Sequence, residues 1–175
     1  MDFVQLIDER RSVRDYAAAP TQEDIQKILT MARRAPSWKN MQTSRCYAVT
    51  TPDTLERLRE AALPSFNQKS SAGAALIVTT FVRDQVGFSQ GQPANEPGNM
   101  WGAYDLGLHD AYLILSARDM GYDTLIMGLR DEKAIRDALG VPENEQIMSV
   151  IAVGKAREEA PLRPRKPLEE TARFY

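Results

Sequence analysis

The stretch from Trp101 to Met120 sets the terms for the rest of the chain. It contains no proline and carries Ala103, Leu106, Leu108, Ala111, Leu113, Ile114, Leu115 and Ala117. On a helix these side chains fall on most sides, and a helix that is apolar all round has to be buried. A chain of 175 residues makes one domain with a core of limited thickness. Full cover for such a helix is therefore expected to come from a second subunit. Gly102 and Gly107 each cost about 1 kcal/mol relative to alanine in a helix interior. They are read as places where another helix or a flat ligand comes close. Gly121 ends the helix.

The other elements can be placed around it. Phe3, Val4, Leu6 and Ile7 mark a short amphipathic helix, after which Val13 to Ala19 runs extended. Pro20-Thr21 opens a second helix, with Thr21 and Asp24 as a capping-box-like start and Ile25, Ile28, Leu29 and Ala32 as its stripe. Pro36 ends it. Cys46 to Thr50 is a strand, and Thr51-Pro52 offers a hydroxyl cap and an N-terminal proline to a helix from Asp53 to about Leu63. Pro64 to Ser71 is expected as a polar loop, and Ala74 to Phe81 as a fully buried strand. From Arg83 to Asn99 periodicity vanishes among Gly, Pro, Gln, Asn and Ser, as in a mobile surface loop or lid. Asp123 to Met127 is a strand ending at Gly128-Leu129, and Asp131 caps a helix to Leu139. Ile147 to Val153 is the last strand, with the tail beginning at Gly154. Two helices precede the first full strand, which favours an α+β domain with a helix-flanked mixed sheet over a doubly wound fold.

Charge and rare residues exclude several function classes. A net charge of −2 argues against a nucleic-acid binder, which carries a basic face. One cysteine, Cys46, rules out an intrachain disulfide and a cysteine-based zinc site. The single histidine, His109, lies mid-helix and reads as structural. No apolar run is long enough for a membrane span, and the polar N-terminus does not resemble a signal peptide. The cytoplasm is the expected compartment. There is no G-x-G-x-x-G after a strand, no Walker loop and no G-x-S-x-G elbow.

What remains is a pair of basic clusters at opposite ends: Arg10-Arg11-Ser12-Val13-Arg14, and Arg163-Pro164-Arg165-Lys166. Taken singly, the first is what the C-terminal turn of a helix favours, and the second is a solvated tail. Taken together, guanidinium forks and a small hydroxyl suit a phosphate. The expectation is that the fold brings both ends around one anionic ligand.

The ordered set of short motifs resembles the nitroreductase family of flavoenzymes. The matching segments are Arg10-Arg11-Ser12-Val13-Arg14-Asp15-Tyr16, Ala35-Pro36-Ser37-Trp38-Lys39-Asn40-Met41-Gln42, Asp105-Leu106-Gly107, Gly121-Tyr122-Asp123, Leu139-Gly140-Val141-Pro142, Ile151-Ala152-Val153-Gly154 and Arg165-Lys166-Pro167-Leu168-Glu169-Glu170. The resemblance implies an intertwined homodimer with an FMN at each of two interface sites. It implies hydride transfer from NADH or NADPH to small electron-poor aromatic acceptors such as nitroaromatics and quinones, in ping-pong fashion. Arg10, Ser12, Arg163 and Arg165, with Arg11 helping, would hold the FMN phosphate. Arg14, with Asn67 and Lys69, would face the pyrimidine edge of the flavin. Pro36, Ser37 and Asn40 would come from the partner subunit, and Met127 and Gly128 would present backbone N–H groups. Trp38, Phe88 and Trp101 are candidate aromatic walls. Departures exist: Thr43-Ser44 stands where many relatives have Pro-Trp, and the chain is short between its first strand and its long helix. Other flavin chemistry (dehalogenation, flavin fragmentation) and a non-catalytic flavin-binding sensor or store are the alternatives. Hydride transfer to a flavin needs no side-chain acid or base from the protein, so the scarcity of histidines is no objection.

Overall fold

The computed structural model describes residues 2–175. In chain order its elements are α1 (Phe3–Glu9), β1 (Tyr16–Ala18), α2 (Gln22–Ala32), a 3-10 turn (Trp38–Asn40), β2 (Ser44–Val49), α3 (Pro52–Ala62), α4 (Ser65–Ser70), β3 (Ala75–Val82), β4 (Phe88–Ser89), β5 (Gln92–Pro93), α5 (Met100–Asp119), β6 (Asp123–Met127), α6 (Glu132–Leu139), β7 (Glu145–Ala156) and α7 (Leu168–Thr171). The main sheet follows the path β1-β7-β3-β2, with β6 also pairing with β7. Its ladders are antiparallel. Among the described residues, parallel pairing is confined to a bridge between Ser12 and Thr124.

Strand β3 explains why three layers form. All eight of its residues are buried, so both faces of the sheet need cover. Leu76 and Val78 point into one core with Leu55 and Leu58 of α3, Ile135 of α6, and Val150 and Ala152 of β7. Ala75 and Ile77 point into the other, with Ile25 and Ile28 of α2, Leu113 and Ala117 of α5, and Ile151 and Val153 of β7. The period-two alternation of β3 and β7 thus fixes which helices lie on which face. In β7 the register steps from Ser149 opposite Thr79 to Ile147 opposite Thr80. Met148 is the extra residue of a bulge.

Some helix starts obey local capping chemistry and others do not. Thr21 Oγ1 accepts the backbone N–H of Asp24 at 3.1 Å, and Asp131 Oδ1 accepts that of Ala134 at 2.9 Å. Thr51 makes no side-chain cap; Pro52 alone sets the start of α3. The segment expected as a loop from Pro64 to Ser71 contains α4. It has no apolar stripe to announce it, and is held because Gln68 Nε2 donates to the Leu63 carbonyl at 2.8 Å while Ser71 N–H closes on Asn67 O at 3.0 Å. The last strand extends beyond both expected ends, and Gly154 lies inside it rather than opening the tail.

The segment from Arg83 to Asn99 is tied down rather than structureless. It holds the β4–β5 hairpin. Asp84 and Asn99 exchange two hydrogen bonds, at 2.8 and 2.7 Å, and Trp101 Nε1 donates to Asn95 Oδ1 at 2.7 Å. Gly87, at φ +78°, passes so close to the Trp101 ring that a Cβ there would sit 2.5 Å from Cδ1.

Helix α5 is buried on one face only. Gly102, Asp105, Leu106, Asp110, Leu113 and Ala117 point inward, while Met100, Tyr104 and Tyr112 are exposed. Gly102 serves a strand side chain instead of another helix or a ligand: the Phe81 ring fills the space a Cβ would take, at 2.4 Å. Gly107 faces open space.

Candidate functional site

The two basic clusters meet. Helix α1 ends at Glu9, and Arg10 turns out of it with φ −61° and ψ 125°. The chain then runs extended: Val13 is buried while Ser12 and Arg14 on either side are exposed, the alternation of a strand. Val13 N–H donates to Thr124 O at 3.0 Å, which lays this segment against the start of β6. At the other end of the chain, Arg157 N–H donates to Asp15 O at 3.1 Å. The Arg157 side chain adds bonds to Asp15 Oδ1 and Tyr16 O, both at 3.3 Å. These ties turn the tail back across the N-terminal segment, and three prolines (Pro161, Pro164, Pro167) keep it from forming a helix there.

The result is a cleft of about 350 Å³ lined by Arg10, Arg11, Ser12 and Arg14 on one side and by the tail from Ala160 to Arg165 on the other. Among the described residues none of its five arginines pairs with a carboxylate. Burial, with Arg165 and then Arg11 alongside, pulls the Arg10 guanidinium below its ordinary value. Cations gathered without counter-charge, beside a hydroxyl, fit a dianionic group of phosphate size. Helix-terminus chemistry alone explains neither the tail nor the missing carboxylates.

A turn follows at the end of β6. Met127 is buried, whereas Gly128 and Leu129 are exposed. Three bonds pin this turn: Asn67 Nδ2 donates to Leu129 O at 3.1 Å, Asp131 N–H donates to Ala62 O at 2.7 Å, and the Arg130 guanidinium donates to Ile147 O. The parallel bridge at Ser12 and Thr124 means that the chain toward Arg14 and the chain toward Met127 leave the same point in the same direction. Asn67 is buried and structural toward Leu129; Lys69, two residues on in α4, is exposed.

Pro36, Ser37 and Asn40 do not join the arginine cleft in this subunit. They lie on the loop between α2 and β2, fixed to α5 by the Trp38 N–H donating to Asp105 Oδ2 at 2.8 Å. Ser37 Oγ accepts the Gln42 N–H at 3.0 Å, and Gln42 Nε2 donates to Asn40 Oδ1 at 3.1 Å. Lys39, Asn40 and Gln42 all adopt positive φ. Such strain in non-glycine residues persists only where surrounding bonds hold it. Beside this loop Trp38 and Trp101 pack with ring centroids 4.9 Å apart, and Tyr104 meets Trp101 edge-on at 5.8 Å. These rings, with Pro36, Ser37 and Leu108, line an apolar cleft of about 220 Å³. Phe88 is half-buried in β4.

Two residues that shape these clefts had no role legible in the sequence, where Asp105 stood only within the Asp105-Leu106-Gly107 motif. Asp105 is buried, and desolvation raises its carboxyl above the ordinary value against the pull of the Trp38 N–H. Only the tertiary contact between α5 and the 36–42 loop gives it a role. Arg157 looks like any solvated arginine in a tail. His109 and Cys46 form no reactive pair: the Cys46 thiol is pushed up to about 12 by burial and by Asp110. His109 Nδ1 lies 3.2 Å from Asp110 Oδ1, whose Oδ2 accepts Thr79 Oγ1–H at 3.0 Å. Among the described residues no helix is long and apolar enough to cross a membrane, and no cluster of His, Cys, Asp and Glu is placed to hold a metal ion.

Known proteins resemble this chain over most of its length. A protein of Archaeoglobus fulgidus assigned by inference as an NADH dehydrogenase/NAD(P)H nitroreductase is 32% identical over 164 residues, covering 90% of this chain and 87% of that protein. An NADH dehydrogenase of Thermus thermophilus is 27% identical, covering 92% and 90%. The crystal structure of a nitroreductase assigned by inference from Exiguobacterium sibiricum, in complex with FMN, superposes with a TM-score of 0.85 at 25% identity, covering 100% of this chain and 98% of that one. The family model described as "Nitroreductase family" matches residues 7–155, and the chain belongs to that family.

Proposed function

We propose that the protein is an FMN-dependent oxidoreductase that passes hydride from NADH or NADPH to a small electron-poor acceptor such as a quinone or nitroaromatic. The observation that carries this reading is the cleft in which both ends of the chain present arginines and Ser12 without a carboxylate. When bound, FMN supplies the hydride-accepting chemistry; the protein supplies binding, orientation and charge. Arg10, Arg11, Ser12, Arg163 and Arg165 hold the phosphate. Arg14, with Lys69 of α4, places positive charge toward the pyrimidine edge, where it favours the reduced, anionic state. Asn67 acts through the Leu129 carbonyl, holding the turn on which Met127 and Gly128 present backbone N–H groups.

The second half of the site is assigned to a partner subunit. Pro36, Ser37 and Asn40 sit on a strained, well-bonded loop that does nothing for the arginine cleft of its own chain. The exposed face of α5, with Met100, Tyr104 and Tyr112, is continuous with it. The reading is a homodimer in which each 36–42 loop serves the other chain's cofactor, and Trp38 and Trp101 wall the acceptor space. Nucleotide and acceptor then take turns in that space, which makes the cycle ping-pong.

The test is the visible spectrum of the purified protein and the mass of any released chromophore, followed by steady-state oxidation of NADH and NADPH with menadione or a nitrofuran. The expected results are a flavin band, a chromophore of FMN mass and acceptor-dependent turnover. A colourless protein that gains no flavin band when FMN is added sinks the whole reading. A bound flavin that neither nucleotide reduces sinks the enzyme and leaves a binding protein.

A further inference from the structure

One half-buried charge cluster lies next to the anion cleft without being part of it. Arg118, in the last turn of α5, reaches two carboxylates on different elements. Its Nη2 donates to Glu9 Oε2 at 2.8 Å and its Nη1 to Asp123 Oδ1 at 3.0 Å. Glu9 is the residue before Arg10, and Asp123 the residue before Thr124, which bridges Ser12. The other Glu9 oxygen is also taken, by Gln5 Nε2 at 2.7 Å. A cavity of about 300 Å³ gathers Glu9, Asp123, Glu159, Arg118 and Arg11. Arg11 is thus common to this cavity and to the anion cleft, with three carboxylates on one side and four other arginines on the other. Yet among the described residues it donates only to backbone carbonyls, those of Asp8 and Arg10.

We propose that Arg118 is a positioning residue for the anion cleft: by holding the Glu9 and Asp123 carboxylates it keeps them from pairing with Arg11 and leaves the Arg10–Arg11 pair free for a phosphate. One guanidinium shared between two carboxylates satisfies both with their geometry fixed. Without it, a bare carboxylate beside two arginines takes one of them as counter-ion, and the cleft loses the charge that recognises the ligand. The direction of the Glu9 shift agrees: Arg118 is the first cause holding its carboxyl below the ordinary value, and the charge of Arg11 already contributes. The proposal rests on the reading of the cleft as the FMN phosphate site.

The experiment compares FMN with riboflavin, which lacks the phosphate, by flavin fluorescence titration of the apoprotein. The variants are Arg118→Met, Arg118→Lys, Glu9→Gln and the double variant Arg118→Met with Glu9→Gln. The wild type is expected to prefer FMN. Arg118→Met weakens FMN roughly tenfold or more, the scale of one lost charge-assisted contact, with riboflavin affinity little changed. Arg118→Lys stays close to wild type, and removing the Glu9 charge from Arg118→Met recovers much of the loss. An Arg118→Met protein that keeps the wild-type preference for FMN, or a double variant no better than Arg118→Met, overturns the proposal. Glu9→Gln alone keeps the test decisive if Arg118→Met does not fold. It retains the FMN preference if Glu9 is a competitor to be neutralised, and loses it if the pair is only an anchor for α1. A wild-type protein that binds riboflavin as tightly as FMN overturns the phosphate reading itself and this proposal with it.

Discussion

Arg10 is the residue on which the anion cleft turns, because it faces Arg11 from its own segment and Arg165 from the tail. Changing Arg10 or Arg165 to alanine is expected to cost about 1.5–3 kcal/mol of FMN binding, the range for a hydrogen bond to a charged group. Unchanged affinity in both variants, measured by the same titration, refutes the phosphate assignment. A different kind of residue-scale constraint sits at Gly154. A Cβ there would lie 2.8 Å from the Tyr16 ring and 2.9 Å from the Ala18 carbonyl, and Tyr16 is itself locked by donating to Val13 O at 2.9 Å. Gly154→Ala is therefore expected to destabilise the fold by about 1–3 kcal/mol through overpacking. A lower urea midpoint at unchanged slope reports it, and an unchanged midpoint refutes it. This role of Gly154 could not be read from the chain, where it looks like the start of a tail. The glycine answers a tyrosine far away in sequence.

Elements in this protein are held in place by a few polar ties between chain-distant positions. Asp24, in the first turn of α2, accepts from Tyr122 OH at 2.7 Å and from Thr21 Oγ1 at 2.9 Å. The Tyr122 and Thr21 hydrogen bonds hold its carboxyl below the ordinary value. The folded state thus gives up this proton more readily than the unfolded one. The stabilisation is fully present above the ordinary carboxylate value of 3.8 and is lost as pH falls through the lower folded value. Asp24→Asn is expected to flatten the acid limb of the stability–pH curve; an unaltered acid limb in urea unfolding from pH 6 downward contradicts this. The Thr21–Asp24 start was legible because capping is a local matter of side chain and backbone. Helix α4 was not: Ser-Phe-Asn-Gln-Lys-Ser has no periodic apolar stripe, and its stability comes from contacts with Leu63 and Leu129 that lie outside it. The 83–99 segment escaped for the same reason, since bonds that order it run outside it, from Trp101 Nε1 to Asn95 and from Arg83 N–H to Asn144 O.

At the scale of the molecule, the one-sided burial of α5 is the main fact about assembly. A twenty-residue helix with Tyr104 and Tyr112 in solvent and Gly107 facing open space offers a surface on which a second copy can pack closely. Gly107→Trp is expected to leave the subunit folded, because nothing in it lies within 4 Å of the added Cβ, while blocking that approach. Sedimentation should show the wild type as a dimer and Gly107→Trp as a monomer. The variant should also lose flavin affinity, because the 36–42 loop of the other chain is withdrawn. A variant that stays dimeric, or a wild type that is monomeric at micromolar concentration, rules this interface out.

The sequence by itself determined what local periodicity and capping can determine. The buried strand around Ala75–Val82, the strand Asp123–Met127, the α6 cap at Asp131 and the apolar character of α5 all follow from spacing within a few residues, because the forces that select them act over one or two turns. Arginines and a serine suited to a phosphate were visible too, as two separate clusters. Only the tertiary structure decided that they line one cleft. Joining them requires Arg157 to reach Asp15 across 142 positions, and Ser12 to lie beside Thr124. Such contacts are selected by the closing of the whole sheet, with its loop-closure entropy offset by the two cores. The same closure set Arg118 between Glu9 and Asp123, and turned the exposed side of α5 and the 36–42 loop outward, toward the place assigned to a partner.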